Sequence, residues 1–219
     1  DVGASGTVLA FHSAMEKAFG TGQEASSLGQ TLTAFETSLT RATSRPDSEI
    51  QLGNVLTAAS DLAKKLNGVS ETIQTERANA DRAIGKDVSR LNAGLEQVAA
   101  LNKQIVSLSA QGKDISSLAD ARQAVIDGLA DIVPIKEVPR EDGRIALFTT
   151  GGAILLDGTE PSRIGFETTP GITPDMSVTD GSLPRLTMNG KPLTAGQMEM
   201  FDGGTISANF SIRDQIAPG

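Results

Sequence analysis

Apolar residues recur at steps of three and four over more than fifty positions in the middle of this chain. From Leu52 they run through Val55, Ala59, Leu62, Leu66, Val69 and Ile73, then through Ile84, Val88, Leu91, Leu95, Val98 and Ile105. Alternating steps of three and four place the side chains on one seam of an α-helix, in the heptad rhythm of a coiled coil. The pattern predicts one helix over Ser48–Ala110. At a rise of 1.5 Å per residue, about sixty residues span roughly 90 Å, more than the width of a small domain. Ser48 and Gln51 stand as a capping box at its start, and Gly112 as the residue that stops it. The rhythm breaks once. After Ile73 the next seam step falls on charged Arg77, and the seam resumes at Ala80, Ile84 and Val88. Two successive four-residue steps form a stutter, with Gly85 inside it, so a bend or a change of packing partner is expected there.

Shorter helices flank this strut. Val8, Phe11, Met15 and Phe19 share one face of a helix over Thr7–Phe19, closed by Gly20 and Gly22. Leu28, Leu32, Phe35 and Leu39 repeat the pattern before Pro46. A third helix is expected over Leu118–Val133, capped by Ser117 and Asp120, with a buried stripe of Leu118, Ala121, Val125, Leu129 and Ile132. Its short connection to the strut predicts an antiparallel return. Pro134 then changes the character of the chain, since eight of the nine prolines lie from there onward. Strands are expected at Ile135–Val138, Arg144–Thr150 and Ala153–Asp157, with a turn at Glu141-Asp142-Gly143. Asn189-Gly190, between LPRLTM and KPLT, is a two-residue hairpin signal. From Gly203 the helical spacing returns with Ile206, Phe210 and Arg213, and breaks at Pro218. The fold class is therefore α+β: an elongated helical bundle or rod built on one very long helix, with a smaller β-rich portion of hairpins. The domains expected are a discontinuous helical rod, 1-133 plus 203-219, and a β-rich portion, 134-202.

Composition narrows the function. The 219 residues contain no Cys, Trp or Tyr, and aromatics make up 3%. Without cysteine there are no disulfides, thiolate nucleophiles or Cys-based metal sites, which suits a protein that is unfolded for export and refolds without an oxidant. The net charge is −8, with no basic patch to advertise nucleic-acid binding. No apolar run approaches the ~20 residues of a membrane span, so no membrane insertion is expected. The chain opens on Asp1 and not on methionine, which suggests a piece of a longer protein.

The candidate chemistry is thin, and each motif has a plainer reading. His12, the single histidine, lies four residues before Glu16, but a metal needs three or four ligands. Asp120, Asp127 and Asp131 line one helix near Lys113 and Arg122. Paired carboxylates can do acid–base work, yet capping and a solvated outer face explain them. Glu141-Asp142-Gly143 and Asp157-Gly158 lack the alternating ligands of a calcium loop. Gln111-Gly112-Lys113 lacks the first glycine of a phosphate loop, and Asn209-Phe210-Ser211 is a glycosylation triplet of a kind that arises by chance. No catalytic, cofactor-binding or metal residue is assigned, no cofactor is expected, and the chain does not read as an enzyme. The apolar seam is what remains, and two short helices cannot cover every face of it.

Several phrases, in order, resemble the family of flagellar hook-associated protein FlgK, the junction between hook and filament. Leu101, Asn102, Gln104 and Ile105 in VAALNKQI match a family helix of the form IA-x-LN-x-QI. Leu118, Asp120, Arg122, Leu129 and Val133 match the helix that follows it. Asp142-Gly143 matches a family hairpin, Gly203-Gly204 through Arg213-Asp214 a returning helix, and Leu32, Phe35 and Leu39 an upstream segment. Ala119, Ala121 and Gln123 depart from the family pattern, and Pro161–Asp202 matches no family phrase. The resemblance implies a structural axial protein of the bacterial flagellum, secreted through type III export, with terminal polymerising helices outside both ends of this chain. It implies contact with the hook protein and with the second hook–filament junction protein, self-association in a ring when full length, and an export chaperone as a further candidate partner. The chain by itself is then expected to be monomeric. Rival readings are another axial protein, such as flagellin or the second junction protein, and a coiled-coil adhesin or receptor stalk.

Overall fold

The computed structural model describes residues 2–22 and 24–217. Six α-helices are seen among them: α1 Val2–Phe19, α2 Leu28–Ser44, α3 Glu49–Ser109, α4 Ser116–Ala130, α5 Ala195–Met198 and α6 Gly204–Ser211. Seven short strands lie between α4 and α5. Strands β1 Ile135–Pro139, β2 Ile145–Thr149, β3 Ile154–Asp157 and β4 Glu160–Pro161 form an antiparallel meander. Strands β5 Ile164–Gly165, β6 Thr187–Met188 and β7 Lys191–Pro192 form a second small sheet. The fold is α+β on one very long helix, as the seam predicts, and β6–β7 turn on Asn189-Gly190. Both turn residues have positive φ, 51° and 78°, which is the requirement of the tight hairpin that this dipeptide signals.

Packing divides the chain into two compact units, Asp1–Val8 with Arg77–Gly219, and Leu9–Glu76. The partition into a helical part and a β-rich part follows secondary structure; these units follow packing. In the first unit the core joins both kinds of element. Ile84, Val88, Leu91, Leu95 and Val98 of α3 meet Ile126 and Leu129 of α4, Leu147, Leu155 and Leu156 of the meander, and Ile206 and Phe210 of α6. Helix α4 does return antiparallel. Its Leu129 touches the Gly94 position and its Arg122 reaches Asn102, so one number falls as the other rises. A Cβ at Gly94 would stand 2.6 Å from Leu129 Cδ2, so the glycine sets how close the two helices come.

Several expectations are corrected. Helix α3 runs through the stutter as one helix, and the change of packing expected there takes the form of a change in burial. Arg77 and Asp81 are fully buried. Gly85 is packed against the Cγ2 of Thr168, which a Cβ would meet at 2.7 Å. At the start of α3, Ser48 Oγ accepts from the Gln51 N–H at 3.4 Å, but Gln51 Oε1 has no hydrogen-bond partner, so only half of the capping box is made. The complete box is at α5, between Thr194 and Gln197. Helix α4 starts two residues earlier than expected and carries no side-chain cap on its N-cap residue. Instead the Asp114 carboxylate accepts from the Ser116 N–H at 2.9 Å and its hydroxyl at 2.7 Å. Those bonds hold the Asp114 carboxyl below its ordinary pKa. The turn they make is present above the usual carboxylate range and is lost as pH falls through the lowered value. Leu129 and Ile132 are buried as expected, but the other buried residues of α4 are Arg122 and Ile126, one position on from the expected Ala121 and Val125. The returning helix changes form: after α6 the chain continues as a π-helix over Ile212–Ile216. The expected break at Pro218 lies outside the described residues.

Short strands cannot satisfy their own backbone, and α3 supplies what they lack. Asn102, fully buried, donates from Nδ2 to the carbonyls of Ile145 and Gly158, both at 2.9 Å. Its Oδ1 accepts from the Ile145 N–H at 3.3 Å and from Arg122 Nη1 at 2.8 Å. Arg122 Nη1 also donates to the Gly143 carbonyl at 2.8 Å. Nearly three turns upstream, Asn92 brackets Ile164 in the same way, donating to its carbonyl at 2.7 Å and accepting from its N–H at 3.0 Å. Buried polar groups left without partners cost about 1–3 kcal/mol each. Asn102→Leu should therefore destabilise the first unit by about 3 kcal/mol or more in urea unfolding followed by circular dichroism. A loss under about 1 kcal/mol would show that the amide is replaceable.

Candidate functional site

The same helix that is covered from Arg77 onward is largely open before it. In the second unit, Val69 is the one seam residue of α3 that is buried; Val55, Ala59, Leu62 and Ile73 are half-buried. Leu52 is 49% exposed, Leu56 72% and Leu66 49%. At about 100° per residue, Leu52, Leu56, Ala59 and Leu66 fall within an arc of roughly 80° on α3. The stripe continues the apolar rhythm of the buried seam but lacks its cover. Leu32 and Leu39 of α2, expected on a packed face, are 45% and 41% exposed, and the buried residues of that helix are Ser38 and Ala42. Phe11 and Met15 of α1 are buried as expected, but Phe19 is 41% exposed. Among the described residues, eight of the eleven exposed large hydrophobic side chains belong to Leu9–Glu76. Scattered exposed apolar residues are ordinary; a stripe at helical spacing makes this face a candidate packing surface.

The polar side chains of this unit line a groove between α2 and α3. A shallow groove of about 490 Å³ runs between Thr37, Ser38 and Arg41 of α2 and Gln51, Asn54 and Ala58 of α3. His12 and Glu16 are exposed on α1, and the edge of Phe11 meets His12 with ring centres 5.7 Å apart. Among the described residues no three acidic or histidine side chains come close enough to hold a metal.

In the first unit the candidate acids are engaged elsewhere. Asp142 pairs with Arg144 at 2.8 Å and Asp157 with Arg140 at 3.2 Å. Asp120, Asp127 and Asp131 are exposed, and Asp127 accepts from Gln123 at 3.0 Å. Arg122 is no outer-face residue. It is buried against Asn102, and burial pulls its guanidinium below the ordinary arginine value while Glu137 opposes the fall. Gly112 adopts the left-handed backbone of a helix stop, with the Lys113 N–H returning to the Leu108 carbonyl. Asn209 of the glycosylation triplet is 6% exposed and donates to Thr205 of its own helix, so its amide is not presented for modification. A cavity of about 640 Å³ lies between α5 and α6, lined by Met198, Phe201, Ile206 and Phe210 and by Glu199, Asp202 and Asp214. Asp214 there is held by Arg213 and Asp202 accepts from Ser207.

Sequence reasoning missed a buried ionic cluster. Arg77 and Arg213 are both fully buried. Arg213 Nη1 pairs with buried Asp81 at 2.8 Å, and its guanidinium carbon lies 4.9 Å from the Phe210 ring centre and 5.5 Å from that of Phe166. Arg77 donates to the carbonyls of Arg213, Thr173 and Met176 at 2.9, 3.0 and 2.7 Å. Burial lowers the Arg77 pKa, with Asp214 opposing. The signal was present: a charge on a seam position is either a break in the seam or a buried clasp. Among the described residues no helix is long and apolar enough to cross a membrane.

Comparison with known proteins matches this arrangement. The family model for the helical domain of flagellar hook-associated protein FlgK aligns with residues 12–219. Flagellar hook-associated protein 1 of Bacillus subtilis (strain 168) is 27% identical over 132 residues, which are 60% of this chain and 26% of that protein. The protein of the same name from Salmonella typhimurium is 25% identical over 143 residues, 64% of this chain and 26% of its own length. The chain thus spans about a quarter of these relatives. The solved flagellar hook junction protein FlgK from Burkholderia pseudomallei superposes with a TM-score of 0.77, covering 96% of this chain and 37% of that one at 18% identity.

The open and closed parts of α3 should respond differently to charge. Leu52→Glu, Leu56→Glu and Leu66→Glu should each change stability by no more than about 0.5 kcal/mol, as surface substitutions do. Leu95→Asp, in the closed part, should prevent cooperative thermal unfolding of the first unit. Comparable destabilisation by both sets would mean that the stripe is covered in solution.

Proposed function

We infer the role of this chain from the family to which it belongs: it is a member of the flagellar hook-associated protein FlgK family, through that family's helical domain. Its role is mechanical and not catalytic. It acts as a structural element of the flagellum at the junction of hook and filament, outside the cell, after export through the flagellar type III apparatus. The helical part, 1-133 plus 203-219, serves as the load-bearing rod, and 134-202 as a β-rich portion carried on it. The partners of the whole protein are the hook protein, the second junction protein and further copies of itself in a ring, with an export chaperone before assembly.

The observation that carries this reading is the stripe Leu52, Leu56 and Leu66, left open on a helix whose other half is sealed. Fully burying a leucine contributes roughly 1.5–3 kcal/mol, and these side chains are already half or more exposed, so each contact adds about 1–2 kcal/mol. That sum barely meets the cost of fixing two free molecules against each other. A single side-by-side contact is then too weak to hold a dimer, which fits a monomeric chain in isolation. A closed ring makes each contact with neighbours already held in place, and repeats it around an axis. Two copies packed through such stripes meet heterologously, each offering one face to the next.

The test is genetic. The triple variant Leu52→Glu, Leu56→Glu and Leu66→Glu, placed in the full-length protein, should leave a folded, exported protein that fails to attach filaments, so that swimming is lost. Normal motility and normal filament length with this variant would remove the stripe from the junction.

A further inference from the structure

The buried ionic cluster joins three parts of the first unit that are far apart in sequence. Asp81 and Arg213 are separated by 132 residues, and Arg77 meets the Arg213 carbonyl across 136. Arg213 also donates to the Pro184 carbonyl at 2.8 Å, while Arg77 holds the carbonyls of Thr173 and Met176. Asp81 accepts from the Thr169 N–H at 2.7 Å. Two arginines and one aspartate therefore hold the non-repetitive stretch 166–186 against α3, in place of a sheet.

Helix α6 and the π-helix bring more than charge. Ile206 is fully buried, and Ala208, Phe210 and Ile212 are 9% exposed or less. The start of α6 continues the open end of α4: the N–H groups of Thr205 and Ile206 donate to the carbonyls of Asp131 and Ile132 at 2.9 and 3.3 Å. Gly204, at φ 72°, lies directly on the Ile132 carbonyl, where a Cβ would overlap it. Thr205 Oγ1 donates to Asp87 on α3 at 2.5 Å. The segment 203–216 thus contacts α3, α4 and the 166–186 stretch together.

We propose that this segment is the gate of folding for the whole first unit. Until Arg213 is in place, Asp81 has no cationic partner and the 166–186 stretch loses its Pro184 anchor. A buried charge without its partner costs several kcal/mol, so α3 beyond Arg77 cannot close its core piecemeal. A chain made from its N-terminus stays open over 77–202 until the segment 203–216 has been made. The closing contacts have very long sequence separation, which makes that step late and slow.

Native-state hydrogen exchange on the intact chain tests this. Amides of α6, of α3 between residues 80 and 99, and of the distant β1–β2 pair should share one opening reaction, with equal denaturant dependence. Arg213→Lys keeps the charge but loses the fork, and should speed exchange about tenfold or more in all three segments together. Arg213→Met should speed it about a hundredfold or more, or leave no slow amides anywhere in the unit. The proposal is overturned if α6 exchanges through a separate, easier opening while β1–β2 and α3 stay protected. It is equally overturned if the Arg213→Lys effect is confined to 204–216.

Discussion

A helix satisfies its own backbone, and everything packed against it must satisfy its backbone some other way. That constraint organises the sealed half of α3. The elements that cover it are poor in internal hydrogen bonds: strands of two residues at β5, β6 and β7, and a stretch from 166 to 186 with no repetitive structure. Their free N–H and C=O groups are met by side chains that point from α3 into the core. Asn92 brackets Ile164, Asn102 brackets Ile145 and takes Gly158, and Arg77 and Asp81 hold 166–186. The apolar seam supplies the burial, and the polar residues within it decide which segments can lie there. An apolar residue at any of these positions would add burial and strand a backbone group.

This explains why part of the molecule was legible in the sequence. The length of α3, the antiparallel return of α4 and the turn at Asn189-Gly190 each follow from a local rule that nothing in the tertiary structure opposes. The stutter at Arg77 was legible as an irregularity but not as a clasp, because its partners Thr173, Met176 and Arg213 are about a hundred residues or more away. Arg122 was misplaced for the same reason. On a helical wheel it is one more charge beside Asp120 and Asp127, and only the position of Asn102 draws it inward. The phrases that carry the family resemblance turn out to contain these clasps: Asn102 stands in the first phrase, Arg122 in the second, and Arg213 in the last.

The candidate surface was half legible. Periodicity marks Leu52 and Leu66 as apolar seam but passes over Leu56, and it cannot say whether a seam is covered from within the chain or from outside. The second unit brings α2, whose buried residues are Ser38 and Ala42, and so contributes little apolar cover. Its leucines, Leu32 and Leu39, are themselves open. One continuous helix thus serves two purposes. From Arg77 on it is the spine of a closed core, and before Arg77 it leaves Leu52, Leu56 and Leu66 exposed.

Because the chain has no cysteine, the covering of that stripe can be read directly. Leu52→Cys, Leu56→Cys and Leu66→Cys, introduced one at a time into the full-length protein, would be labelled with a maleimide both in the isolated protein and in intact flagella. The account predicts rapid labelling of all three in the isolated protein and strong protection in flagella, with an exposed control such as Lys64→Cys labelled equally in both. Equal labelling of the stripe in both states would contradict it.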